Sequence, residues 1–128
     1  FSWTALFSFN LIKKYLDDKF NANIGIIISD TQGRAWRVGA IGVAIGISGF
    51  HPITDFRGSI DLYGQELMST IEGTADELAG AASLLMGQSN SGICLVLIRG
   101  YDLSQVRCDI EESSINEILR DKETDAFR

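Results

Sequence analysis

Two aspartates and two arginines carry the chemistry this sequence offers. Asp30 follows the apolar run Ile24–Ser29 within I-I-I-S-D-T-Q-G-R-A-W-R, and Asp61 sits within R-G-S-I-D-L-Y-G. Carboxylates held at the ends of apolar segments suit hard divalent cations such as Mg2+ or Mn2+. Such ions take carboxylate oxygens and share their remaining positions with water and phosphate. No histidine or cysteine accompanies the aspartates, so the set does not suit zinc. Arg34 and Arg37 follow Asp30 closely and could clamp phosphate or carboxylate by paired hydrogen bonds. Thr31 and Gln32 add neutral hydrogen-bonding groups. The competing reading is that both aspartates cap turns, a common use of this residue. Spacing alone favours the turn-capping reading, because no specific motif is matched.

The elements that must position these residues follow from pattern. Phe9 to Phe20 places Leu11, Ile12, Tyr15, Leu16 and Lys19 at helical spacing, with Lys13, Lys14, Asp17 and Asp18 largely on the wet face. Residues 21–23 end that helix, and residues 24–29 suit a strand covered on both faces, ending at Asp30. Glycines at 39, 42, 46 and 49 punctuate an apolar run. Their spacing matches no phosphate loop and suits one or two strands with bulges or close backbone packing. Residues 50–57 hold the only proline and read as a loop, in which His51 is not expected to be a ligand; residues 61–64 read as a turn.

Thr74-Ala75-Asp76-Glu77 has the pattern of a capping box opening a helix over 74–86. Its apolar stripe is Ala75, Leu78, Ala79, Ala82 and Leu85, and Gly87 stops it. Gln88 to Gly92 is a polar turn. Residues 93–98 read as a second buried strand that hides the Cys94 thiol, and a short helix is expected around Ile115 to Leu119. Helices and strands mix without βαβ alternation. The expectation is a single α+β domain over residues 1–128, with a mixed or antiparallel sheet.

Composition narrows the classes further. A chain of 128 residues with 45% hydrophobic and 22% charged residues has enough material for one core and argues against disorder. A net charge of -6 argues against general nucleic-acid binding, which needs basic patches; a nucleotide can still bind where a cation and local arginines offset its phosphates. Two cysteines without metal-ligand spacing fit a reducing, cytoplasmic compartment. No stretch has the length to span a membrane. The apolar start F-S-W-T-A-L-F-S-F lacks a basic leader and a cleavage site, so it does not read as a secretion signal. Phe1 in first position, with an exposed apolar N-terminus, points to a piece of something longer that expects a missing partner surface.

Several blocks occur in order: S-D-T-Q-G-R-A-W-R, V-A-I-G-I-S-G, R-G-S-I-D-L-Y-G, A-D-E-L-A-G-A-A, L-L-M-G-Q and L-V-L-I-R-G, closed by T-D-A-F-R. From about Ile24 onward the chain resembles the C-terminal half of the coenzyme F420-0:L-glutamate ligases. The resemblance implies a homodimeric enzyme that uses GTP and Mg2+ or Mn2+ to add L-glutamate to coenzyme F420-0 and to extend its γ-linked glutamate tail. The implied route is an acyl phosphate. It implies Asp30 and Asp61 as metal ligands and Thr31, Gly33, Arg34 and Arg37 as the nucleotide or phosphate-binding set. Glu123 is a weaker candidate, with a plain solvated charge as the alternative.

The sequence also departs from that family. A lysine-rich block and an N-x-G-x-D-x-S-N-like block of the family's N-terminal half are absent, so catalysis is expected to require the missing half. The segment before residue 9 does not match, Gln32 stands where an aromatic is common, and Ala35 stands in place of a proline. Two other classes stay open. One is a non-catalytic ligase-like module that binds metal or nucleotide or dimerises, and the other is an unrelated phosphohydrolase using the same aspartates.

Overall fold

A computed structural model describes residues 3–109 and 113–125, with side chains described from residue 9 onward. The expected exposed apolar N-terminus and the end of the T-D-A-F-R block therefore lie outside the described residues. Helix α1 spans Trp3–Phe20, six residues longer at its start than the periodicity of 9–20 suggests. Asn21 closes it in the left-handed region (φ 46), and Ala22 N–H reaches back to Asp17 O at 3.2 Å. This is the 6→1 bond of a Schellman close.

The wet face expected for α1 is rotated. Lys13 is 3% exposed, while Leu11, Ile12 and Tyr15 face out. The reason is a ring of acceptors that periodicity does not reveal. Lys13 Nζ donates to Asp17 Oδ2 (2.7 Å), Asn23 Oδ1 (2.9 Å) and Ile24 O (3.0 Å). All three ammonium donors are thereby used, which makes the burial tolerable. The lysine stem crosses Gly49, where a Cβ would collide with it, so that glycine is required for contact as well as for its φ of +87.

Strands β1 (Ile26–Arg34) and β2 (Arg37–Ser48) form an antiparallel hairpin. Asp30 therefore stands inside β1, opposite Val43, and not at a strand end as expected. The strand continues because the ladder partner continues: Thr31, Gln32 and Gly33 pair with Gly42, Ile41 and Ala40. Only the half nearer α1 is covered, and residues 30–40 project into solvent. Ala35 and Trp36 make the turn, with Trp36 at φ 61, an uncommon conformation for a bulky residue.

The glycine run does what backbone packing requires. A Cβ on Gly42 would lie 2.7 Å from Ser83 Cβ and 2.8 Å from Ala79 O, and one on Gly46 would strike the Phe9 ring. Both helices approach β2 through these gaps. Helix α2 (Thr74–Met86) matches the expected bounds and stops at Gly87 (φ +74). Its capping box does not form. The cap is Gly73 and receives no side-chain bond, because the Thr74 hydroxyl is shared with Thr54 and Glu72. Asp76 Oδ1 instead accepts from Ala44 N–H at 2.8 Å, beside the irregularity in the β1–β2 ladder, and ties helix to sheet.

Strands β3 (Thr54–Asp55) and β4 (Ile71–Glu72) pair at the α2 N-terminus and bracket an arm over residues 56–70. The core is Ala44, Ile47, Phe50, Ala75, Ala79 and Val106, with Ile27, Leu103, Ile115 and Ile118 against it. A 3-10 turn at Ile115–Ile118 replaces the expected short helix. Residues 93–98 are not a buried strand: no backbone hydrogen bond joins them to another segment among the described residues, and Cys94 is exposed. A strand needs a ladder partner, and no described segment supplies one. The architecture is the expected single α+β domain.

Candidate functional site

Strand alternation sets the site. Residues paired directly across an antiparallel ladder project to the same face. Thr31 pairs with Gly42, whose missing side chain is the contact point for α2, so Thr31 faces the helix side. The loop after α2 then meets it: Thr31 Oγ1 donates to Gln88 Oε1 at 3.0 Å, across 57 residues of sequence. With its proton committed, the Thr31 oxygen presents lone pairs. Asp30 alternates to the other face, and its Oδ1 accepts only from the Thr31 N–H at 2.7 Å. Its second oxygen is left for a ligand among the described contacts.

Arg34 and Arg37 close the hairpin as a direct cross-strand pair. Two like charges opposite each other repel, and neither has an acidic partner among the described residues. Arg34 Nη2 makes one long bond to Val38 O at 3.4 Å. Such a pair gains most from an anion between its members. Four residues along a strand separate Asp30 from Arg34, roughly 13 Å. A cation at Asp30 and an anion at the hairpin end would thus touch different parts of one extended ligand. A Cβ on Gly33 would meet nothing within 4 Å, so its backbone is open to a ligand.

Asp61 is placed differently. It sits at the tip of the 56–70 arm, where its Oδ1 accepts from Tyr63 N–H and Gln65 N–H, both at 2.8 Å, and Gly64 (φ +81) completes the turn. This is the turn-capping geometry, with Oδ2 left over. Among the described residues no interaction joins Asp61 to Asp30. Glu123 is likewise apart, in a turn with Asp121. No group of three His, Cys, Asp or Glu side chains converges as a metal cage among the described residues. Mg2+-type ions do not need one, since one or two carboxylates with phosphate and water complete the shell. The free Asp30 oxygen fits that role on its face of β1, while Thr31 stands on the opposite, helix-covered face.

Two shallow cavities among the described residues lie elsewhere. The larger, about 400 Å3, opens at the other end of α2 and is lined by His51, Thr54, Asp55, Gln105 and Glu117 among others. There His51 Nδ1 stands 3.1 Å from both Glu117 oxygens. Hydrogen bonds from the Arg57 side chain and backbone, with its charge, hold the neighbouring Asp55 carboxyl down at about 2. These contacts secure the base of the arm that carries Asp61.

Sequence reasoning missed Gln88. Its signal was present, a glutamine directly after a helix-stopping glycine, but the distance to Thr31 along the chain gave no reason to join them.

A family model described as F420-0:Gamma-glutamyl ligase matches residues 7–100. Among similar proteins, the "Coenzyme F420:L-glutamate ligase" of Methanothermobacter thermautotrophicus is 46% identical over 117 residues, covering 91% of this chain and 45% of its own length. That of Archaeoglobus fulgidus is 46% identical over 105 residues, covering 82% and 40%. That of Methanocaldococcus jannaschii is 39% identical over 117 residues, covering 91% and 45%. The chain thus spans less than half the length of these relatives. No helix among the described residues is long and apolar enough to cross a membrane.

Proposed function

Because this chain belongs to the F420-0:gamma-glutamyl ligase family, we propose that it supplies one wall of a cytoplasmic enzyme, homodimeric at family length, that adds L-glutamate to coenzyme F420-0 and lengthens its γ-linked tail. GTP is the co-substrate and Mg2+ or Mn2+ the cofactor in this reading. The observation that carries it is the family match, which contains Asp30, Thr31, Arg34, Arg37, Asp61 and Gln88. The unpaired arginines and the Thr31–Gln88 contact support it.

The acceptor's terminal carboxylate attacks the γ-phosphorus, GDP leaves, and the glutamate amine then displaces phosphate from the acyl carbon, losing a proton to water. Asp30 would hold the divalent ion, which would supply positive charge to the phosphate oxygens. Gln88 holds the Thr31 hydroxyl on the opposite face and so ties the loop after α2 to β1. Arg34 and Arg37 grip the far anionic portion of the ligand, with the open backbone at Gly33 between them and Asp30. Asp61 joins as a second carboxylate only if the arm and β1 are brought together by the rest of the assembly.

Manganese titration of this 128-residue chain with GTP present, followed by electron paramagnetic resonance, tests the wall. Asp30→Ala should weaken binding about tenfold or more. Affinity unchanged by that substitution would refute the assignment. The second reading, a non-catalytic ligase-like module, draws on the chain spanning less than half the length of its relatives.

A further inference from the structure

Residues 93–98 read I-C-L-V-L-I, with no polar side chain on either face. A strand of that composition belongs in the interior of a sheet, with neighbours on both edges and cover on both sides. Here it has neither. Leu95 and Leu97 are 78% and 67% exposed, Ile93 and Cys94 are exposed beside them, and only Val96 is turned partly inward. No backbone hydrogen bond reaches the run from another segment among the described residues. Free N–H and C=O groups along an apolar run form a template for strand addition.

The run lies within the residues that match the family model, so it belongs to the family's fold and is not an appendage. The chain spans 45% of the length of its Methanothermobacter thermautotrophicus relative, so a family-length protein carries more than as much chain again. We infer that residues 93–98 are an interior strand whose ladder partners come from the part of a family-length protein that this chain does not span. A second copy of this chain is a poorer fit. It offers one further edge, and a two-stranded ribbon is marginal in water. The inference rests on the family membership behind the proposed function, and not on the cation site.

The test is co-expression of this chain with the stretch of the Methanothermobacter thermautotrophicus relative that it does not match. The expected result is a 1:1 complex by light scattering, with amide exchange across 93–98 and alkylation of Cys94 both slowed about tenfold or more. The double variant Leu95→Lys, Leu97→Lys changes two exposed side chains. It should leave the circular dichroism of the chain unchanged and abolish the complex. Four outcomes would overturn the inference: no complex, a complex with 93–98 unprotected, a complex indifferent to the double variant, or a homodimer of the chain alone with the same protection. Asp30→Ala should leave assembly intact, so a failed catalytic reading and a failed docking surface give different results.

Discussion

Lys13 shows how far a single residue can depart from its pattern. Its place on α1 marked it for solvent, yet three acceptors from α1 and the following turn draw it inside. One of them, Asp17, also accepts from Ile24 N–H at 2.8 Å. Partial burial pushes the Asp17 carboxyl up, but the bonds from Lys13 and Ile24, with the charges of Lys13 and Arg107, outweigh it and leave it below its ordinary value. A depressed carboxyl stabilises the fold above its unfolded pKa, and that contribution fades as pH falls through the folded value. Lys13→Met should therefore destabilise the chain by about 3 kcal/mol at neutral pH, since it strands a partly buried carboxylate. Part of that loss should vanish as the pH falls below the ordinary carboxylate range and Asp17 takes up its proton. Urea melts of both forms across pH check this; an unchanged midpoint at pH 7 would contradict the buried network. Thr31 and Gln88 teach the same lesson at the site. Residue types pointed to a chemistry for Asp30, Thr31 and the arginines, but not to the distant side chain that meets Thr31.

Elements with local causes were legible. The 74–86 helix came from its stripe and its stop at Gly87, and the 61–64 turn from an aspartate–glycine pair. The glycine run was readable as backbone packing, and the structure assigns each close approach to a helix. Gly42 is the sharpest case, because α2 rests on it and carries Gln88 to Thr31. Gly42→Ala should cost about 2 kcal/mol by pushing Ala79 and Ser83 away. Gly33→Ala, with nothing near its Cβ, should stay within about 0.5 kcal/mol. Thermal melts compare the two, and equal losses would contradict the packing account. The capping box and the 93–98 strand failed for a shared reason: both depend on a partner. Thr74 found Thr54 and Glu72 instead of Glu77 N–H, and residues 93–98 found no ladder.

At the scale of the whole molecule, the α+β class and the family were both readable, the first from mixed elements and the second from ordered blocks. What no pattern revealed was how little the described residues bury. Among them six buried hydrophobic side chains form the core, three of them alanines, while Trp36, Val38, Leu62, Tyr63 and Leu84 stand almost fully in water. A domain that completes its own fold seldom leaves so many large apolar groups outside. In the proposed reading, the rest of a family-length protein covers them and sets the opposite wall of the site. Asp30 in this wall is proposed to serve glutamate ligation. Incorporation of labelled L-glutamate into coenzyme F420-0, with GTP and Mn2+, tests this in a family-length protein carrying these residues. Asp30→Ala should lower incorporation by about a hundredfold or more while the melting temperature holds. Undiminished incorporation by that variant would contradict it.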